Sequence, residues 1–98
     1  MELVILDGRE MKTRQAAHMH LKESLGFPEY YGCNLDALWD MVSAIDADVR
    51  LIHAREMLST LSDYGEKLLA LLIDAADENP AFSFSVEDVE ESDAASDN

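Results

Sequence analysis

Three short apolar runs, set far apart along 98 residues, do most to limit what this chain can fold into. They are "ELVILD" from Glu2, "VRLIHA" from Val49 and "FSFSV" from Phe82. Their β-branched and aromatic content predicts strands. The first ends on the turn signal Asp7-Gly8 and reads as buried, whereas the third alternates with Ser and leaves one face less covered. The intervening stretches are too long for hairpins and carry helical spacing, which is the order of parallel strands joined by crossovers. The predicted architecture is β-α-α-β-α-α-β: a small α/β domain with a three-stranded parallel sheet and about four helices.

Helix boundaries follow from local chemistry. Thr13 is placed to cap a helix running to about Leu25, with Gly26 as its stop. Asn34 is a good N-cap for a second helix, whose Leu35, Leu38, Val42 and Ile45 recur every three or four residues as a core stripe. A short helix is expected over Arg55 to Ser62, and Asp63 can cap a longer one carrying Leu68, Leu69, Leu71, Leu72 and Ile73. Asn79-Pro80 ends it.

A chain of this length holds one hydrophobic core, so one domain is expected over residues 1–86. Cys33 is the single cysteine, which excludes an intrachain disulfide. "MELVIL" has neither the basic flank nor the length of a secretory signal, and no run approaches the roughly 20 apolar residues of a membrane span. The chain reads as cytoplasmic and without membrane attachment.

The formal charge is −14, and residues 87–98, "EDVEESDAASDN", contribute six acids and no base. That segment is expected to be an acidic, disordered tail. Residues 1–86 still hold 15 acids against 7 bases, so the domain itself repels phosphate backbones and suits a basic protein partner. Direct nucleic-acid binding is not expected.

The acids are not evenly spread. At 100° per residue, Asp36, Asp40 and Ser43 share the side of the second helix opposite its apolar stripe, with Trp39 at the seam. Like charges at i, i+4 cost an isolated helix about 0.2–0.5 kcal/mol, and only Asp36 lies near enough the N-terminus to recover it from the dipole. A solvated acidic face is the plain explanation. Against it stand Tyr30, Tyr31 and Trp39, which crowd within ten residues of the two aspartates, because rings beside charges are the material of a binding hot spot. Tyr31 suits core or surface equally, and Tyr30 reads as surface.

Catalytic alternatives are thin. Cys33 precedes a helix N-terminus, which favours a thiolate, but Glu29, Asp36 and Asp40 oppose it. His18 and His20 diverge at i, i+2 and lack the spacing of a zinc pair, so each histidine, His53 included, reads as satisfied or solvated. No enzymatic role, cofactor or metal is expected.

The run Phe27-Pro28-Glu29-Tyr30-Tyr31-Gly32-Cys33-Asn34-Leu35-Asp36-Ala37-Leu38-Trp39-Asp40 resembles the barstar family, intracellular inhibitors of barnase-type ribonucleases. The resemblance extends over residues 2 to about 86. It implies a three-stranded parallel sheet packed with helices, and a partner that is a basic ribonuclease of the extracellular or toxin type, with the chain monomeric when free. It further implies that Asp40 enters the nuclease phosphate site, that Tyr30, Asn34 and Asp36 contact the substrate-binding surface, and that Gly32, Leu35, Trp39 and Ser43 line the joint. Carboxylates would then imitate phosphates, and rings would imitate bases. Two positions depart from the pattern: Ala44-Ile45-Asp46 stands where the family has a Gly-Trp pair, and Ala75, flanked by Asp74 and Asp77, where it has an interface glutamate. The alternative is an acidic immunity or regulatory module of the same fold aimed at a partner that is not a ribonuclease.

Overall fold

Residues 2–88 are described by a computed structural model, in which the sheet expected from the three apolar runs is formed by β1 (Glu2–Asp7), β2 (Ala47–Ile52) and β3 (Phe82–Val86). All pairing is parallel and β2 is central. Four helices supply the crossovers: α1 (Arg14–Leu25) and α2 (Leu35–Val42) between β1 and β2, then α3 (Ala54–Leu61) and α4 (Asp63–Glu78) before β3. A single turn of 3-10 helix, Gly8–Glu10, links β1 to α1.

Strand register sorts the side chains. Val4, Val49 and Phe84 stand in one row and Leu6, Leu51 and Val86 in the next, on the face that joins Leu21, Leu38, Val42, Leu68 and Leu72 in the core. The opposite face carries Leu3, Asp48 and Ser83, then Ile5, Arg50 and Ser85. Leu3 and Ile5 are 52% and 46% exposed, so β1 is not the buried strand its composition suggested. A parallel sheet ordinarily has both faces covered, so an unbroken apolar run predicts a buried strand. Here one face has no second layer among the described residues, and composition cannot report that.

Two boundaries also moved. His53 and Ala54, read as the end of the second strand, instead make the turn out of it: His53 is left-handed at φ 55° and Ala54 opens α3. Asp63 is the first residue of α4, not its cap, and Ser62 before it (φ 54°) makes no side-chain capping bond. By contrast Thr13 accepts from the Ala16 N–H at 3.0 Å, and Gly26 ends α1 in the left-handed conformation at φ 71°.

The β1 exit is packed closely against the start of α3, since a Cβ at Gly8 would overlap the His53 carbonyl oxygen. The first N–H groups of α3 have no cap of their own. Asp88 supplies one from beyond β3, accepting from Ala54 N–H at 2.6 Å and Arg55 N–H at 3.1 Å. Glu87 N–H donates to the Leu51 carbonyl at 2.8 Å. The first two residues of the expected tail thus bond to the domain, and the remainder of it lies outside the described residues. Among the described residues no helix is long and apolar enough to cross a membrane.

Candidate functional site

The aromatic and acidic stretch is assembled by the exit from α1. Gly26 turns the chain, Phe27 N–H donates back to Lys22 C=O at 3.0 Å, and Pro28 starts a turn closed by Tyr31 N–H to Pro28 C=O at 3.0 Å. This turn points its two tyrosines in opposite directions. Tyr30 is 82% exposed, whereas Tyr31 is 6% exposed and lies against Phe27 with ring centroids 4.8 Å apart. The choice that sequence left open for Tyr31 falls to the core.

After Gly32, Cys33 takes a left-handed conformation (φ 55°), and Asn34 caps α2 by accepting from Ala37 N–H at 2.8 Å. Asn34 Nδ2 also reaches the Gly32 carbonyl at 3.3 Å, so the cap fixes both the helix and the loop before it. At the far end, Asn79 Nδ2 donates to Val42 C=O at 3.1 Å and Ile45 C=O at 2.8 Å. Those carbonyls lose their helical partners where α2 stops, and a side chain from the end of α4 replaces them. Local pattern marks Asn79 only as a stop signal.

Between these anchors α2 divides as its spacing predicts. Leu38 and Val42 are fully buried, Leu35 and Ile45 pack partly against the core, and Asp36 and Asp40 are exposed. Trp39 is half-buried and Ser43, at the C-terminal cap, donates weakly from Oγ to Asp40 C=O at 3.4 Å. Gly32 is exposed on the same stretch.

Several acids elsewhere in the chain are paired with cations. Asp7 is held by Arg9 at 2.9 Å, Asp48 and Glu87 by Arg50 at 3.5 and 3.7 Å, Asp88 by Arg55 at 3.9 Å, and Glu29 by Lys22 at 3.4 Å. The Asp7 carboxyl is correspondingly held below the usual carboxylate range by its bond to Arg9, against a smaller opposing effect of burial. Asp36 and Asp40 make no ion pair among the described residues.

Beneath the loop lies a polar contact that sequence reading did not find. His18 is 0% exposed, with Nδ1 at 2.7 Å from the Tyr31 hydroxyl and Nε2 at 2.6 Å from the hydroxyl of Tyr64 on α4. Burial holds the His18 pKa below its ordinary value and pushes both phenols up. The imidazole is therefore neutral at pH 7. Arg14 covers the Tyr64 ring, its guanidinium 4.5 Å from the centroid. Tyr64 carried no signal of its own, since a lone aromatic at the start of a helix has no periodic partner.

The other histidines are also occupied in the fold: His20 Nε2 accepts from Asp7 N–H at 3.0 Å, and His53 makes the turn into α3. Among the described residues no group of three or more His, Cys, Asp or Glu is placed to hold a metal ion.

A family model described as Barstar (barnase inhibitor) matches residues 1–89. The chain belongs to the barstar family. It is also similar to the Bacillus subtilis (strain 168) protein named "Putative ribonuclease inhibitor YrdF", with 36% identity over 81 residues that cover 80% of this chain and 89% of that protein.

Within the barstar fold, the two departures noted in the sequence acquire positions. Ala75 is fully buried and belongs to the core, while its neighbours Asp74 and Asp77 on α4 are exposed. Ala44 is exposed, and Ile45 packs partly against the core with its carbonyl held by Asn79.

Proposed function

We propose that this barstar-family chain inhibits a basic ribonuclease by seating the exposed face of α2 and the loop before it in the nuclease active site. The observation that carries the reading is the pair Asp36 and Asp40, exposed one turn apart and without ion pairs among the described residues, beside an exposed Tyr30 and a half-buried Trp39. The family description and the name of the B. subtilis relative both point to ribonuclease inhibition.

Asp40 faces the cationic groups that hold a phosphate, where desolvation strengthens charge-assisted hydrogen bonds. Asp36, Tyr30 and Asn34 meet the surface that binds the substrate, and Gly32, Leu35, Trp39 and Ser43 close the joint around them. A net charge of −14 steers the encounter with a basic partner. The chain acts as a stoichiometric binder and not as a catalyst, and its target is an extracellular-type or toxin nuclease neutralised in the cytoplasm.

The test is RNA cleavage by a barnase-type ribonuclease titrated with the purified chain. Inhibition that reaches completion at one equivalent is the expected result, with Asp40→Ala greatly weakened. Undiminished cleavage in the presence of a folded chain excludes that nuclease as partner and favours an acidic module with another target.

A further inference from the structure

The loop of residues 27–34 carries much of the proposed binding surface, yet its backbone is sparsely bonded. Within residues 28–34 the one backbone N–H bonded to a backbone carbonyl is that of Tyr31, to Pro28, and the Lys22–Glu29 pair leaves Glu29 fully exposed. Between the buried Phe27 ring and the Asn34 cap, the middle of the loop is tethered to the domain through the Tyr31 side chain.

That tether has a defined direction. A neutral imidazole offers one N–H and one lone pair, so one tyrosine hydroxyl donates to the ring and the other accepts from it. Tyr31 is buried, and its hydroxyl has no second partner among the described residues. Were it the acceptor, its own O–H would be left unsatisfied in the core, at the full cost of desolvation. Tyr31 O–H accordingly donates to Nδ1, the ring proton sits on Nε2, and Nε2–H donates to the Tyr64 oxygen. Tyr64 is only half-buried and lines an open cleft with Arg14, Gln15, Cys33, Asn34 and Leu35, where its hydroxyl proton can meet water.

We propose that Tyr64 is a positioning residue for partner binding: through His18 it holds Tyr31, and with it the loop bearing Tyr30, Gly32 and Asn34, in the conformation that meets the partner. This rests on the inhibitory reading of the α2 face. Arg14 over the Tyr64 ring keeps that phenol in place, so α1, α4 and the binding loop meet at one imidazole. Ordering the loop before the encounter removes a cost that would otherwise be taken from affinity.

The experiment uses Tyr64→Phe, which deletes one oxygen and keeps the ring. Amide hydrogen exchange at Tyr31, whose N–H is held by the Pro28 carbonyl, is expected to accelerate by about three- to tenfold, the range of one ordinary hydrogen bond, while the Leu21 and Leu72 amides are unchanged. Inhibition of a barnase-type ribonuclease weakens by a similar factor, and 15N spectra of the wild type show the His18 ring proton on Nε2. Tyr31→Phe gives the same loop phenotype, and the double variant is less than additive because both substitutions break one chain. Unchanged loop exchange in folded Tyr64→Phe, an additive double variant, or a ring proton on Nδ1 overturns the proposal. The two readings fail separately. A wild type that does not inhibit, with loop exchange that still responds to Tyr64→Phe, removes the nuclease and keeps the positioning role; strong inhibition indifferent to Tyr64→Phe does the reverse.

Discussion

The open face of the sheet and the outer face of α2 are both exposed and both carry acids, but they treat their charge in opposite ways. On the sheet, Asp48 and Glu87 converge on Arg50, and Ser83 Oγ donates to Asp48 at 3.1 Å. On α2, Asp36 and Asp40 stand one turn apart with no cation paired to them among the described residues, although the same chain pairs Asp7, Glu29 and Asp88 elsewhere. Exposed ion pairs contribute little to stability, so the pairing matters here less for its energy than for what it leaves available. A carboxylate with an intramolecular partner has to lose it before binding a second cation, and one without a partner does not.

The largest expected effect sets the two sides of α2 against each other. Asp40→Ala costs partner binding about 3–5 kcal/mol, as removal of one member of a desolvated pair does, while leaving the melting temperature level or slightly higher. Leu38→Ala costs about 2–5 kcal/mol of folding stability through a core cavity. Parallel calorimetric titration and thermal unfolding of both variants read this out. An Asp40→Ala chain that unfolds would break the division between a binding face and a packing face.

The buried polar bridge extends the contrast to pH. Because burial lowers the His18 pKa, the unfolded chain takes up a proton before the folded one does. This contribution is thus fully present above the unfolded value of about 6.5 and is lost as pH falls from there through the folded pKa. Urea midpoints measured between pH 8 and 5 should fall with acidity over that window. The His18 ring signals should titrate below the ordinary histidine value of about 6.5, and a His18 that titrates above it contradicts the burial argument.

Smaller effects test the paired side. Asp88→Ala removes the cap of α3 and is expected to cost about 1 kcal/mol, and truncation after Val86, which also removes the Glu87 N–H bond to Leu51, costs more than that in denaturant melts. Smallest of all, Asp40→Asn relieves the repulsion with Asp36 and raises stability by about 0.2–0.5 kcal/mol, whereas Asp48→Asn lowers it by about 0–1 kcal/mol. Equal effects of the two substitutions would mean that the contrast has no energetic content.

Local patterns carried much of this protein. The caps at Thr13 and Asn34, the stop at Gly26 and the two faces of α2 were legible because each depends on residues within four positions of one another. The acidic pair was legible as surface for the same reason. What escaped was contact between distant positions: Asp88 on the start of α3, Asn79 on the end of α2, and Tyr64 on His18, 46 residues away. The exposure of Leu3 and Ile5 escaped as well, since whether a second layer covers a parallel sheet is not written in the strand.

By itself, then, the sequence determined the element order, the helix boundaries set by capping, and which side of α2 carries charge, all governed by short-range sterics and periodicity. Tertiary structure alone decided which sheet face stays open, and that Tyr31 turns inward while Tyr30 turns out. It also decided that one buried imidazole ties the binding loop to α1 and α4. A buried donor or acceptor must find a partner wherever the fold brings one near, and that partner's place in the chain follows from packing and not from local pattern.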